Sequence, residues 1–111
     1  IHGAQLGSNC LIGMNAVIMD EVEIGDECIV GALTFIASKT IIPKRKIVVG
    51  NPGKIVKDVT DEMINWKTEG TKLYQSLPNE LYETLKECEP LREPEANRPE
   101  QTATYEIWKN K

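Results

Sequence analysis

His2 is the only histidine in this sequence of 111 residues and its strongest candidate for chemistry. A neutral imidazole can bind a divalent metal or move a proton near neutral pH. A catalytic zinc ion needs three protein ligands and one open position, so a single histidine in each chain does not provide such a site. Asp20 follows 18 residues later, and a carboxylate beside a histidine can orient its ring. For both residues the alternative is an exposed side chain without a role.

Aliphatic side chains at a period of six decide whether these two residues can meet. They occupy successive sixth positions, namely Leu6, Ile12, Ile18, Ile24, Val30, Ile36, Ile42 and Val48. A period of six fits neither an α-helix nor a simple two-residue alternation, and fixed repeats indicate a solenoid. The sequence therefore predicts a mainly β fold, a parallel β-helix over residues 1–53 in which three six-residue units close one triangular coil.

This coil of 18 residues predicts which side chains stack. Leu6 is expected over Ile24, and His2 over Asp20 at a corner. A compact residue two positions before each aliphatic one also points inward: Ala4, Cys10, Ala16, Val22, Cys28, Thr34 and Thr40. Glycines and asparagines after the aliphatic positions suit sharp corners, because both tolerate positive φ. Gly3 beside His2 is expected to let another backbone or subunit approach.

Composition limits the compartment and the partners. Three cysteines without a paired framework indicate reduced thiols in a cytoplasmic protein. Cys10 and Cys28 are expected at adjacent inward positions, where a disulfide is conceivable but two small core residues are favoured. The net charge of -4 argues against general affinity for nucleic acid or anionic membranes. The sequence shows no apolar run of about 18 residues, the length that would span a bilayer.

A helical segment over residues 54–88, packed on the solenoid, is predicted after the repeat. The turn at residues 49–53 carries the chain off the coils, and Thr60 is the expected N-cap. An apolar helical stripe follows at alternating steps of four and three: Val59, Met63, Trp66, Gly70, Leu73 and Leu77. Pro78 is expected in the first turn of a second helix. That helix would have a short apolar face of Leu81, Leu85 and Cys88.

Both ends of the chain carry expectations of their own. Residues 89–111 contain three prolines and many charges, which predicts an extended tail. Its late aromatic and aliphatic residues, Tyr105, Ile107 and Trp108, are expected to dock on a neighbouring surface. The repeat is already in phase at Ile1 and supplies fewer than three full coils, so we expect a truncated version of a longer solenoid.

Several stretches of this sequence resemble a known family. Residues 2–9 (HGAQLGSN) and 12–20 (IGMNAVIMD) are similar to the hexapeptide-repeat proteins of the gamma-class carbonic anhydrase family. The downstream part resembles the branch that contains the phenylacetic acid degradation protein PaaY and the carnitine operon protein CaiE. The residues concerned are 61–62 (DE), 66–67 (WK), 70–71 (GT), 74–75 (YQ) and 89–93 (EPLRE).

The resemblance implies a left-handed β-helix, a C-terminal helix packed along it, and a homotrimer. In that family, three histidines from two neighbouring chains bind a divalent metal, zinc in the first place and otherwise iron or cobalt. His2 matches the last of these metal ligands, and the other two would lie upstream of Ile1. Asp20 would act on His2 as an orienting carboxylate. Catalytic and substrate-binding residues are left unassigned.

The activity that the resemblance implies is hydrolysis of acyl-CoA thioesters, as in phenylacetate catabolism, by a metal-bound hydroxide. Carbon dioxide hydration is implied as a second activity. The basic residues Lys44-Arg45-Lys46 are favoured as a solvated corner, and contact with the phosphates of coenzyme A is the alternative. Two other functions stay open at this point, because a fold does not settle a function. They are a coenzyme A-dependent acyltransferase on the same solenoid and a non-catalytic assembly module.

Overall fold

The computed structural model describes residues 1–100, which contain short strands followed by one long helix. The strands are β1 (Gln5–Leu6), β2 (Leu11–Ile12), β3 (Val17–Ile18), β4 (Glu23–Ile24), β5 (Ile29–Val30), β6 (Phe35–Ile36), β7 (Ile41–Ile42), β8 (Lys46–Val49) and β9 (Lys54–Asp58). The helix α1 spans Asp61–Thr84. The predicted mainly β repeat followed by helical structure is confirmed at this level.

Parallel pairing between strands 18 residues apart builds three sheets. Their strand orders are β1-β4-β7, β2-β5-β8-β9 and β3-β6. Leu6 pairs with Ile24, which in turn pairs with Ile42, so the predicted stacking register is confirmed. From β1 to β8, consecutive strands therefore belong to different sheets, and the chain forms a three-sided parallel coil with one sheet on each side.

The core is a column of small and aliphatic side chains inside the coil. Val22, Cys28 and Val30 have no exposed surface, and the other buried members are Ile18, Ile24, Ile36, Ile42 and Val48. Full burial of one such aliphatic side chain contributes about 1.5–3 kcal/mol to folding. The predicted inward positions are thus confirmed for the middle of the repeat, whereas Leu6 is 40% exposed.

Left-handed backbone recurs at one corner position of every six-residue unit. Positive φ occurs at residues 3, 9, 15, 21, 27, 33, 39 and 45, which confirms the expectation for Asn9 and Asn15. The expectation was wrong for the glycines directly after the aliphatic positions. A Cβ at Gly7 would lie 2.5 Å from the backbone nitrogen of Asp26, and one at Gly13 would lie 2.4 Å from that of Ala32. These glycines are needed for close approach between coils.

The solenoid ends in a hairpin that the sequence pattern did not predict. β9 pairs antiparallel with β8, from Lys46 opposite Asp58 to Val49 opposite Lys54. The turn between them also caps the third sheet, since the Phe35 nitrogen donates to the carbonyl of Gly50 at 2.9 Å. The start of the segment predicted to be helical is therefore a strand, because pairing with β8 satisfies its backbone groups.

α1 begins where predicted. The Thr60 hydroxyl accepts a hydrogen bond from the Met63 nitrogen at 3.3 Å, as an N-cap should. Asp61 and Glu62 lie in the first turn, where negative charge favours the helix dipole.

The prediction of a second helix at Pro78 was wrong, since α1 continues through this proline to Thr84. Proline inside a helix costs about 3 kcal/mol, because it removes one backbone donor and its ring crowds the preceding turn. The carbonyl that loses its partner belongs to Tyr74, whose side chain is largely exposed.

The chain divides into two compact units, residues 1–68 and residues from 69 onwards. Val59, just before α1, and Gly70 within α1 are buried, whereas Leu81 in α1 and both Leu85 and Cys88 beyond its end are exposed. The short apolar face predicted for the second helix is thus not covered within the described residues. Residues 89–100 contain neither helix nor strand, as the prolines predicted, whereas residues 85–88, predicted to be helical, lie beyond the end of α1. Tyr105, Ile107 and Trp108 lie outside the described residues.

Candidate functional site

His2 and Asp20 are in direct contact at a corner of the coil. The Nδ1 atom of His2 lies 2.6 Å from Oδ1 of Asp20. Backbone hydrogen bonds position both residues: His2 donates from its nitrogen to the Ile18 carbonyl at 3.0 Å, and the Glu21 nitrogen donates to the Gly3 carbonyl at 2.8 Å. The structure therefore brings together the two residues that the 18-residue spacing predicted.

The contact decides which ring nitrogen of His2 is free. An ionised carboxylate only accepts hydrogen bonds, so the neutral ring carries its proton on Nδ1. Nε2 then keeps its lone pair. The side chain of His2 is 84% exposed, and a partner outside this chain can reach it. This is the arrangement of a metal-binding histidine whose second nitrogen is held by a carboxylate.

A complete metal site is not formed within the part of the chain that the structure describes. Residues 1–100 contain no group of three or more His, Cys, Asp or Glu side chains that could hold a metal ion. His2 therefore fits the role of one ligand and not of a ligand set. The sequence contains no second histidine.

A second contact of the same register lies at the next corner. Oδ1 of Asp26 accepts a hydrogen bond from the Ser8 nitrogen at 2.6 Å and another from the Ser8 hydroxyl at 2.8 Å. These bonds hold the pKa of Asp26 below its usual value, and the charge of Lys44 acts in the same direction. The sequence analysis missed this pair, although its spacing of 18 is that of His2 and Asp20.

Comparison with known proteins identifies the repeat. The sequence profile of the family "Bacterial transferase hexapeptide (six repeats)" matches residues 3–38. Carnitine operon protein CaiE of Escherichia coli K12 is 39% identical over 107 residues, which cover 96% of this chain and 55% of that protein. The chain carries the hexapeptide repeat of this family. CaiE of Shigella flexneri has the same identity and coverage, and the predicted similarity to this branch is confirmed.

This hexapeptide-repeat chain spans about half the length of the curated relatives it matches, since it covers 55% of each of these CaiE proteins. Among solved structures, a hexapeptide transferase family protein from Anaplasma phagocytophilum has a TM-score of 0.65 and 22% identity, covering 69% of this chain and 46% of its own. That likeness shows a shared fold. AntD, an N-acyltransferase from Bacillus cereus solved with dTDP and 3-hydroxybutyryl-CoA, has a TM-score of 0.50 and 25% identity, covering 66% and 38%.

Two of the three basic residues at the last corner of the hexapeptide repeat are engaged within the chain. Arg45 forms ion pairs with Asp61 and, at 3.3 Å, with Glu27. The hydrogen bond to Asp61 raises the pKa of Arg45 further. Lys46 pairs with Asp58. The contacts of Arg45 and Lys46 connect the start of α1 and β9 to the coil. The positive charges of both residues are therefore partly neutralised within the chain and less available to a phosphate.

The cysteines of the hexapeptide repeat are thiols and not a disulfide. Cys10 and Cys28 are both free, as favoured from the sequence. The Cys10 thiol donates to the carbonyl of Gly25 at 3.2 Å, and the Cys28 thiol makes the equivalent bond to Pro43 at 3.1 Å. Burial raises the pKa of the Cys28 thiol. A protonated, buried thiol is unreactive, which makes Cys28 a core residue and not a nucleophile.

No helix among residues 1–100 is long and apolar enough to cross a membrane.

Proposed function

We propose that this hexapeptide-repeat chain is part of a metal-dependent hydrolase that acts on acyl-CoA thioesters as a homotrimer in the cytoplasm. Its coil is the left-handed β-helix implied by the resemblance to the gamma-class carbonic anhydrase family. Carbon dioxide hydration is a second activity of the same site. When bound, the divalent ion supplies a water molecule that is ionised near neutral pH.

One observation carries this proposal: the carboxylate of Asp20 occupies Nδ1 of His2 and leaves Nε2 free at the surface. A carboxylate on one ring nitrogen is the usual way in which a metal-binding histidine is oriented, with its other nitrogen facing the ion. The pair does not stabilise the fold by much, since exposed ion pairs contribute about 0–1 kcal/mol. Metal binding by Nε2 would account for the contact between these two exposed side chains.

Each chain of this sequence supplies one histidine ligand, since His2 is its only histidine. Ligands shared between subunits would explain why the described residues hold no complete ligand set. The activity, substrates and partners of the whole protein are likewise proposals, because the chain covers only 55% of the length of its CaiE relatives.

Metal content tests the proposal. Elemental analysis of the purified full-length protein should give close to one zinc, iron or cobalt ion per chain, and the ion should be lost in His2→Ala. The metal-loaded protein should then hydrolyse an acyl-CoA thioester, and His2→Ala should not. Absence of metal from both proteins, together with absence of hydrolysis, would refute the proposal. A stable trimer with neither metal nor activity would instead support the assembly module.

A coenzyme A-dependent acyltransferase is the second candidate. It is favoured by the likeness to AntD, whose structure contains 3-hydroxybutyryl-CoA. The same incubation distinguishes the two activities when an amine or hydroxyl acceptor is added. An acylated acceptor indicates transfer, whereas free acid with or without acceptor indicates hydrolysis. The internal ion pairs of Arg45 and Lys46 do not favour this corner as a phosphate site.

A further inference from the structure

Gly3 stands apart from the other corner residues of the repeat. It is one of eight residues at equivalent positions with positive φ, and the other seven are Asn9, Asn15, Glu21, Glu27, Leu33, Lys39 and Arg45. These seven adopt φ between 52° and 64°, and Gly3 adopts 58°. Left-handed backbone at this corner therefore does not require glycine. The backbone conformation alone therefore does not explain why position 3 is glycine.

The side chain of Asp20 supplies a second constraint. A Cβ added to Gly3 would lie 2.4 Å from Oδ1 of Asp20 and 3.3 Å from its Cγ. The same Oδ1 lies 2.6 Å from Nδ1 of His2. A methyl group and the carboxylate oxygen cannot share this space, because their separation would be far below van der Waals contact. Because Gly3 has no side chain, the carboxylate of Asp20 can occupy this space and contact the ring of His2.

The neighbouring corner shows the same register without this arrangement. There, Asp26 lies one coil below Ser8 and bonds to its backbone nitrogen and hydroxyl. The following residue is Asn9, which carries a side chain at the left-handed position. Where the aspartate bonds to Ser8, the next residue, Asn9, can therefore carry a side chain. Where the aspartate contacts the ring of His2, the next residue is glycine.

We propose that Gly3 is a positioning residue: by leaving room for the Asp20 carboxylate, it keeps the proton of the neutral His2 ring on Nδ1 and the lone pair on Nε2. The proposal revises the expectation that Gly3 admits another backbone or subunit. It rests on the proposed function only for the use of Nε2 as a metal ligand. The position of the proton is a property of this chain alone.

Nitrogen NMR of the metal-free chain at alkaline pH, where the ring is neutral, tests the proposal. His2 is the only histidine, so its two ring nitrogens need no assignment against others. The parent chain should show a protonated Nδ1 and an unprotonated Nε2. Gly3→Asn is the informative variant, because asparagine already occupies the left-handed positions 9 and 15. It should make the Nε2-protonated ring, which free histidine prefers, the majority form.

Two variants complete the experiment. Asp20→Ala keeps Gly3 but removes the oxygen that contacts Nδ1, and it should shift the proton to Nε2 in the same way, even if Gly3→Asn does not fold. Asp26→Ala alters the equivalent aspartate at the other corner and should leave the proton on Nδ1. A parent chain with its proton on Nε2, or a folded Gly3→Asn with its proton on Nδ1, would overturn the proposal. Since no metal is present, neither result depends on whether the protein is a metalloenzyme.

Discussion

Nδ1 of His2 and Oδ1 of Asp20 lie 2.6 Å apart although 18 residues of chain separate them. The contact exists because one coil of the repeat returns the chain to the same corner. It leaves Nε2 as the only ring nitrogen available for a ligand, and the consequence for metal binding can be measured.

Asp20→Asn should weaken metal binding by the assembled protein about 10- to 100-fold, the usual effect of losing a carboxylate that orients a metal-binding histidine. Titration of the metal-free full-length protein with Zn²⁺ measures the affinity. Asp26→Asn is the matched control, because Asp26 has the same register but contacts Ser8. Equal affinities for the two variants would contradict a role for Asp20.

Thr34→Val should stabilise the solenoid by about 1 kcal/mol, because the Thr34 side chain is fully buried and its hydroxyl has no hydrogen-bond partner. Valine has nearly the same shape and removes the unsatisfied group. Urea unfolding measures the change in free energy. In Thr40→Val, the control, the hydroxyl that donates to the Ala37 carbonyl at 2.6 Å is lost, so this variant should be destabilised. Thr34→Val with reduced stability would show that the hydroxyl has a partner.

Ile24→Asp should prevent folding, whereas Ile41→Asp should be tolerated. Ile24 is 3% exposed in the core, and Ile41, on an adjacent strand of the same sheet, is 69% exposed. A carboxylate at the first position is removed from water without a partner, which costs several kcal/mol against a total stability of about 5–15 kcal/mol. Circular dichroism and gel filtration report the outcome, and a folded Ile24→Asp would refute the assigned register.

Acid should weaken the solenoid partly through Asp26. Its pKa is lowered in the folded state by the hydrogen bonds from Ser8, so ionised Asp26 stabilises the fold above its unfolded-state pKa of about 3.9. This contribution is lost as the pH falls through the lower folded-state pKa. The difference in unfolding free energy between the parent chain and Asp26→Asn should therefore be constant near neutral pH and shrink below about pH 4. A difference independent of pH would contradict this role.

The three thiols should react with Ellman's reagent in the order of their exposure. Cys88 is exposed, Cys10 is partly buried and Cys28 is buried, and burial also raises the pKa of Cys28. Because the thiolate is the reactive form, Cys28 should react only on unfolding. Cys88→Ser should remove the fast phase alone. Rapid reaction of Cys28 in the native protein would contradict its place in the core.

The amino-acid sequence by itself determined the repeat, its register and the meeting of His2 with Asp20. A period of six imposed on extended backbone leaves little choice, since every sixth side chain must point inward for the coils to stack. The helix start at Thr60 was equally predictable, because capping is a local interaction between residues three apart.

Only the tertiary structure decided what depends on contacts between coils. The strand Lys54–Asp58 forms because β8 has a free edge with which it can pair. The local sequence of residues 54–58 does not show that this edge is available. The continuation of α1 through Pro78 likewise depends on whether the rest of the helix is stable enough to offset the hydrogen bond that proline removes. Gly3 is the clearest case. The sequence shows a glycine suited to a corner, whereas the structure shows that its missing side chain makes room for the carboxylate of Asp20.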